Sequence, residues 1–277
     1  MTSSDNKDNN KFTTPPGWTP HPTLPNALLR PISNNERFFL TSERVTGART
    51  SIGASLLLDF DSPVEAQDLL RRLNKAWLYT RAQCPSLGFK VANANNGSTG
   101  SEDTCMVYED LTSTKQAFEW AEQTVHVKHI NDPSGTLDVR ILEGHHEDPI
   151  VAKTVDHHIE CLIATSPAPR AWLRLWLDHN MMDGPSSRWL LAHLVKYLSL
   201  SPESLEIDWA SESEQARIRS RLLPGTALPF LKPEYRDQKL DVKADPQKQF
   251  AAVTREVSGN VSSGFAAFTD FLLLPSC

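Results

Sequence analysis

The sequence has few cysteines, no long apolar run and no cluster of basic residues, and each shortage excludes something. Its 277 residues include four cysteines, at positions 84, 105, 161 and 277. None forms a C-x-x-C pair, so they read as reduced thiols and not as a disulfide framework or a zinc clasp. The apolar stretches fall well short of the roughly 20 residues that cross a bilayer, so no membrane span is expected. The opening MTSSDNKDNNKFTTPPGW lacks the apolar stretch of a secretion signal, and a cytoplasmic location is the expectation. Lys and Arg number 28 against 34 Asp and Glu, a formal net charge of -6. No basic patch interleaves with aromatics, which argues against a nucleic-acid-binding face. Also missing are a P-loop, a G-x-G-x-x-G turn after a strand and a G-x-S-x-G elbow, so phosphate-cofactor and serine-hydrolase chemistry lack support.

What remains is an ordinary globular composition, 39% hydrophobic and 22% charged, in a chain long enough for one large domain or two small ones. Residues 1–26 are polar and proline-rich and read as a disordered tail, too poor in apolar surface to offset the entropy of ordering. Residues 27–205 carry the patterned part. Residues 206–277 read as a linker and an incomplete C-terminal extension, rich in charge and proline and without a sustained period.

Within the patterned part, Ser33 and Glu36 have the spacing of a capping box, opening a helix through Arg44. SIGASLLLDF (51–60) reads as a strand. Ser62, Pro63 and Glu65 suggest a second capped helix over 62–81, with Leu69, Leu70, Leu73, Ala76, Trp77 and Thr80 on one face and Cys84-Pro85 as its stop. Strands are expected at 87–91 and 105–108. A helix is expected over 113–129, with Phe118, Ala121 and Val125 inward. HIECLIAT (158–165) and AWLRLWL (171–177) form a hairpin signal, with Ala171, Leu173, Leu175 and Leu177 sharing a face. A helix follows from Pro185, with Leu190, Leu191, Leu194 and Leu198 as its stripe. The order implies an α/β (α+β) fold, helices packed on a mixed, mostly antiparallel sheet.

The chemistry concentrates in DHNMMDG, residues 178–184. It sets His179 and Asp183 four apart where a strand passes into a helix. A neutral imidazole, with an unperturbed pKa of about 6.5, is suited to take a proton from an attacking hydroxyl. Other histidine groups read more simply. Glu122, His126 and His129 would share a face of the expected helix as a solvated surface, and the pairs His145-His146 and His157-His158 lack supporting metal-ligand spacing. No metal is expected.

The segment DHNMMDG resembles the H-H-x-x-x-D-G signature of the coenzyme A-dependent acyltransferase superfamily, which includes chloramphenicol acetyltransferase, the plant-type (BAHD) alcohol acyltransferases and nonribosomal peptide condensation domains. The opening RPISNNERFFL (30–40) and the element order also look like these proteins, and more particularly like stand-alone fungal trichothecene-type O-acetyltransferases. The resemblance covers roughly residues 27–210. It implies a chloramphenicol-acetyltransferase-like two-layer sandwich lobe, with His179 as general base, Asp183 holding the loop through an arginine and Gly184 allowing close approach of substrate. Asp178 departs from the signature, standing where its first histidine would be. The implied reaction is secondary-metabolite acyl transfer from coenzyme A, or from a carrier-protein pantetheine, to a hydroxyl or amine of a small molecule, with no permanently bound cofactor. The family has two lobes, and no D-F-G-W-G-like motif of the second occurs after residue 201. A missing or incomplete second lobe is therefore expected, supplied by another chain or a homo-oligomer. The alternative is a truncated, non-catalytic lobe acting as a binding or partner subunit.

Overall fold

A computed structural model describes residues 14–47, 51–93, 104–132, 134–143 and 155–223. Their strands form two four-stranded sheets. The smaller joins β1 (Thr19–Pro20), β2 (Ala27–Pro31), β5 (Thr104–Glu109) and β4 (Phe89–Asn93), in that order and antiparallel throughout. The larger runs β3 (Ser51–Val64), β8 (Ala168–Asp178), β7 (His157–Ile163) and β6 (Val125–His129). Only β6 and β7 pair in parallel among the described strands. Helices α1 (Asn34–Thr46), α2 (Ala66–Gln83), α3 (Thr114–Thr124), the single turn α4 (Arg140–Glu143), α5 (Gly184–Leu198) and α6 (Glu212–Arg219) complete the fold. This is the mixed, mostly antiparallel α/β lobe that the patterning implies.

The core lies between the larger sheet and its helices. Alternation along β8 sends Ala171, Leu173, Leu175 and Leu177 to one face, and Ile159, Cys161 and Ile163 of β7 join them; all are buried. The stripes of α2 (Leu69, Leu73, Ala76, Trp77) and α5 (Leu190, Leu194) close over that face. Burial pushes the Cys161 thiol up to about 12, making it a small inert hydrophobe. Cys84 and Cys105 are free thiols too. The opposite face of β8 is amphipathic. There Glu160 accepts hydrogen bonds from Lys128 Nζ at 2.5 Å and Trp176 Nε1 at 3.1 Å, with Arg174 3.5 Å away.

The capping box at Ser33 forms as the spacing predicts, with Glu36 Oε2 accepting from the Ser33 N–H at 2.6 Å. Glu36 also takes a bidentate pair from buried Arg30 at 2.6 and 2.8 Å. RPISNNER is thus one device, in which the end of β2 clamps the first turn of α1. The second box does not form. Ser62 and Pro63 stay in β3, which bulges after Asp59 and pairs again at Val64, so α2 starts only at Ala66. Its cap comes from the distant hairpin, where Ser166 Oγ accepts from the Ala66 N–H and donates to Glu65.

Three further expectations change. The helix expected over 113–129 ends at Thr124, because Val125 and Val127 enter the parallel ladder with β7, where β-branched side chains pack well. Phe118 is exposed; Ala117, Ala121 and Thr124 face inward. The polar tail does not extend to residue 26: Trp18 is buried, packs on Phe89 at 5.1 Å between centroids and donates Nε1–H to the Leu223 carbonyl. One indole supplies enough apolar area to fix a polar segment; residues 1–13 lie outside the described residues. The packed lobe also continues past residue 205, since Trp209, Ile218 and Leu222 are buried in the same core. Residues 94–103 and the end from 224 onward lie outside the described residues. No described helix is long and apolar enough to cross a membrane.

Candidate active site

β8 ends at Asp178 for a local reason. The Asp178 carboxylate accepts from the Asn180 N–H at 2.7 Å, and its carbonyl accepts from the N–H groups of Met181 and Met182, closing a turn. The Asp178 N–H donates to His157 Nδ1 at 3.2 Å, pinning the strand end to β7. Accepting there places the proton of a neutral His157 on Nε2. Met181 and Met182 are buried and anchor the turn to the core. Asp178 thus builds the turn that presents the next residue.

That residue is His179, half-buried in the turn and not on the leucine face of β8. Its imidazole lies flat on Phe39 of α1, with centroids 4.2 Å apart and planes 21° from parallel. Nδ1 is enclosed and makes no hydrogen bond; Nε2 makes none either but reaches solvent. The ring is therefore held by stacking, with one nitrogen open. The clamp between Arg30 and Glu36 orients α1 and hence Phe39.

Asp183 is exposed and caps α5, its carboxylate accepting from the Ser186 N–H at 2.8 Å. No described arginine lies within ion-pairing distance of it, so the loop is held by the helix cap in place of the arginine that the resemblance implies. Gly184 opens α5, and nothing stands within 4 Å of where a Cβ would be. Asp183 and Gly184 follow the turn at His179 and start α5. Asn180 is the odd member: it is 4% exposed, yet neither end of its amide has a partner. A buried amide left unpaired costs stability and marks a place where a bound water or ligand group would be satisfied.

A likeness to solved structures follows from this fold. The TRI3 trichothecene 15-O-acetyltransferase of Fusarium sporotrichioides superposes with a TM-score of 0.58 at 16% identity, over 87% of this chain. The fold is similar to that of this acetyltransferase. The chain spans 47% of that enzyme. Weaker likenesses, with TM-scores of 0.40, are to F. sporotrichioides TRI101, solved with coenzyme A and T-2, at 13% identity over 69% of this chain and 42% of that one, and to the nonribosomal peptide synthetase FmoA3, at 17% identity over 69% and 16%. No family model and no curated protein matches the sequence.

His126 and His129 lie on strand β6, not on a helix, so the expected face with Glu122 does not exist. His157 and His158 are buried in β7. His145 and His146 lie outside the described residues. Among the described residues no group of three His, Cys, Asp or Glu could hold a metal ion. Sequence reasoning missed Phe39 as the partner of His179, because a stacking contact between a helix and a turn 140 residues apart leaves no periodic trace.

Proposed function

We propose that this chain is the histidine-bearing lobe of an acyltransferase. It would move an acyl group from a coenzyme A or carrier-protein thioester to a hydroxyl or amine of a small molecule of secondary metabolism. The observation that carries the reading is the His179 ring, stacked on Phe39 with Nε2 open, in a turn of a fold like that of an acetyltransferase. Nε2 takes the proton of the acceptor as its oxygen or nitrogen bonds to the thioester carbonyl carbon. The tetrahedral intermediate then expels sulfur, and the imidazolium returns the proton to give a free thiol. Such a base contributes about 10²–10⁴ in rate, so His179→Ala is expected to lose about that factor in thiol release from acetyl-coenzyme A with alcohol and amine acceptors. Its circular dichroism spectrum should match wild type, with the melting temperature lowered by no more than the few degrees that loss of the Phe39 stack implies. Equal turnover by the variant and the parent would remove His179 as base.

The span of 47% of TRI3 favours a second reading, a lobe that acts as a binding or partner subunit without turnover of its own. A soluble monomer by light scattering, with no thiol release from acetyl-coenzyme A, favours that reading over an enzyme.

A further inference from the structure

A cleft of about 480 Å³ opens on the lobe between α3, the ends of β4 and β5, and the start of β7. Its volume is that of a small-molecule pocket. The unusual member of its wall is Arg81 of α2, which is only 4% exposed. Its guanidinium is sandwiched between the Trp120 ring, 4.4 Å from the centroid, and the backbone at Gly88. A Cβ at Gly88 would stand 2.7 Å from Arg81 Nη2, so the absence of a side chain there makes room for the cation. Trp120 in turn stacks on Trp77, whose indole N–H is held by Thr124. The seat is therefore rigidly built.

The cation it holds is poorly satisfied. Arg81 makes one hydrogen bond, from Nη2 to the Glu109 carbonyl at 3.1 Å. Nε is enclosed without a partner, and among the described residues no carboxylate forms an ion pair with Arg81. Burial lowers its pKa to about 10, and the neighbouring Tyr108, Glu109 and Asp110 offset only part of that loss of water. Buried charges are ordinarily paired. Arg81 lines the cleft, and a guanidinium matches a carboxylate through two parallel N–H···O bonds.

We propose that this cleft binds a small organic monocarboxylate, its carboxylate on Arg81 and its apolar body against Phe89, Leu111 and Trp120. Lys90, on the same wall, adds a second positive charge. The cleft also carries Glu109, Asp110, Glu119 and Asp156. Asp110 and Glu119 are bridged to Arg219 and Lys115, but the remaining negative field discriminates against a dianion such as phosphate. His179 is not among the residues that line it.

The test uses the full chain with sodium benzoate, its neutral analogue benzamide, and inorganic phosphate, by calorimetry and by the side-chain ¹⁵Nε–¹H signal of Arg81. Benzoate is expected to bind with a Kd of about 1 mM or tighter and to shift that signal, with benzamide and phosphate at least about tenfold weaker. Lys90→Ala, an exposed change, should weaken benzoate severalfold, and Arg81→Gln should abolish its binding. The proposal is overturned by benzoate binding that leaves the Arg81 signal unmoved, by phosphate or benzamide binding as tightly, or by no binding at all. The wild-type signal decides the matter even where Arg81→Gln does not fold.

Discussion

His179 and Phe39 show how a ring can be aimed without a hydrogen bond. A general base is commonly oriented by a third group bonded to its second nitrogen. Here Nδ1 is enclosed and unbonded, and the face of the ring rests on Phe39. A stack of this kind is worth about 0.5–1.5 kcal/mol, so for the acyl transfer proposed above Phe39→Leu should lower the rate by up to about tenfold through lost orientation. It should also shift the His179 Hε1 resonance downfield, because the ring current of Phe39 disappears, and Phe39→Tyr should restore both. An unmoved resonance in Phe39→Leu would show that the stack does not hold in solution. Asp183 makes a different prediction. As an N-cap it contributes about 0.5–2 kcal/mol, so Asp183→Ala should lower the melting temperature by a few degrees. Asp183→Asn, which keeps the cap, should melt like the parent. Equal melting of the Ala and parent proteins would leave the cap without energetic weight.

Elements were legible where one local rule governed them and illegible where two segments distant in sequence cooperated. The Ser33 box, the leucine face of β8 and the start of α5 at Asp183-Gly184-Pro185 are local, and each forms where its residue types predict. The start of α2 is not local, because Ser166 of a hairpin 100 residues away supplies the cap that Ser62 seemed placed to give. β6 is the same case. Residues 125–129 fit a helical period until β7 offers them a parallel ladder. That ladder brings Lys128 to Glu160, whose carboxylate lies below its ordinary value of 4.5: burial opposes ionisation, but the bonds from Lys128 and Trp176 and the charges of Lys128 and Arg174 outweigh it. With the folded value depressed, the pair contributes fully above the unfolded pKa, and the contribution is lost as pH falls through the folded one. Glu160→Gln should therefore melt well below wild type at pH 7, and the difference should narrow below about pH 4.5 as the parent protonates. A gap that stays constant from pH 7 to pH 3 would mean that the charge of Glu160 carries none of the stability.

At the scale of the molecule, the question is where the lobe stops. Charge and proline content set the boundary near residue 205, because α6 has too weak an apolar stripe to announce a packed helix. The structure carries the core onward. Ile218 and Leu222 are buried, Gln215 donates to the carbonyls of Leu111 and Trp209, Arg219 pairs with buried Asp110, and the Leu223 carbonyl receives the Trp18 indole. Burying two aliphatic side chains is worth about 1.5–3 kcal/mol each, and stranding Asp110 without its cation costs about 3–5 kcal/mol. Their sum rivals the whole stability of a domain, about 5–15 kcal/mol. A chain ended at Leu205 should therefore fail to melt cooperatively, while one ended at Leu223 retains every one of these contacts and should unfold as a single transition. Calorimetry of the two chains decides it. A cooperative transition in the shorter chain within a few degrees of the longer would make residues 206–223 an appendage, and would return the lobe to the boundary that composition suggested.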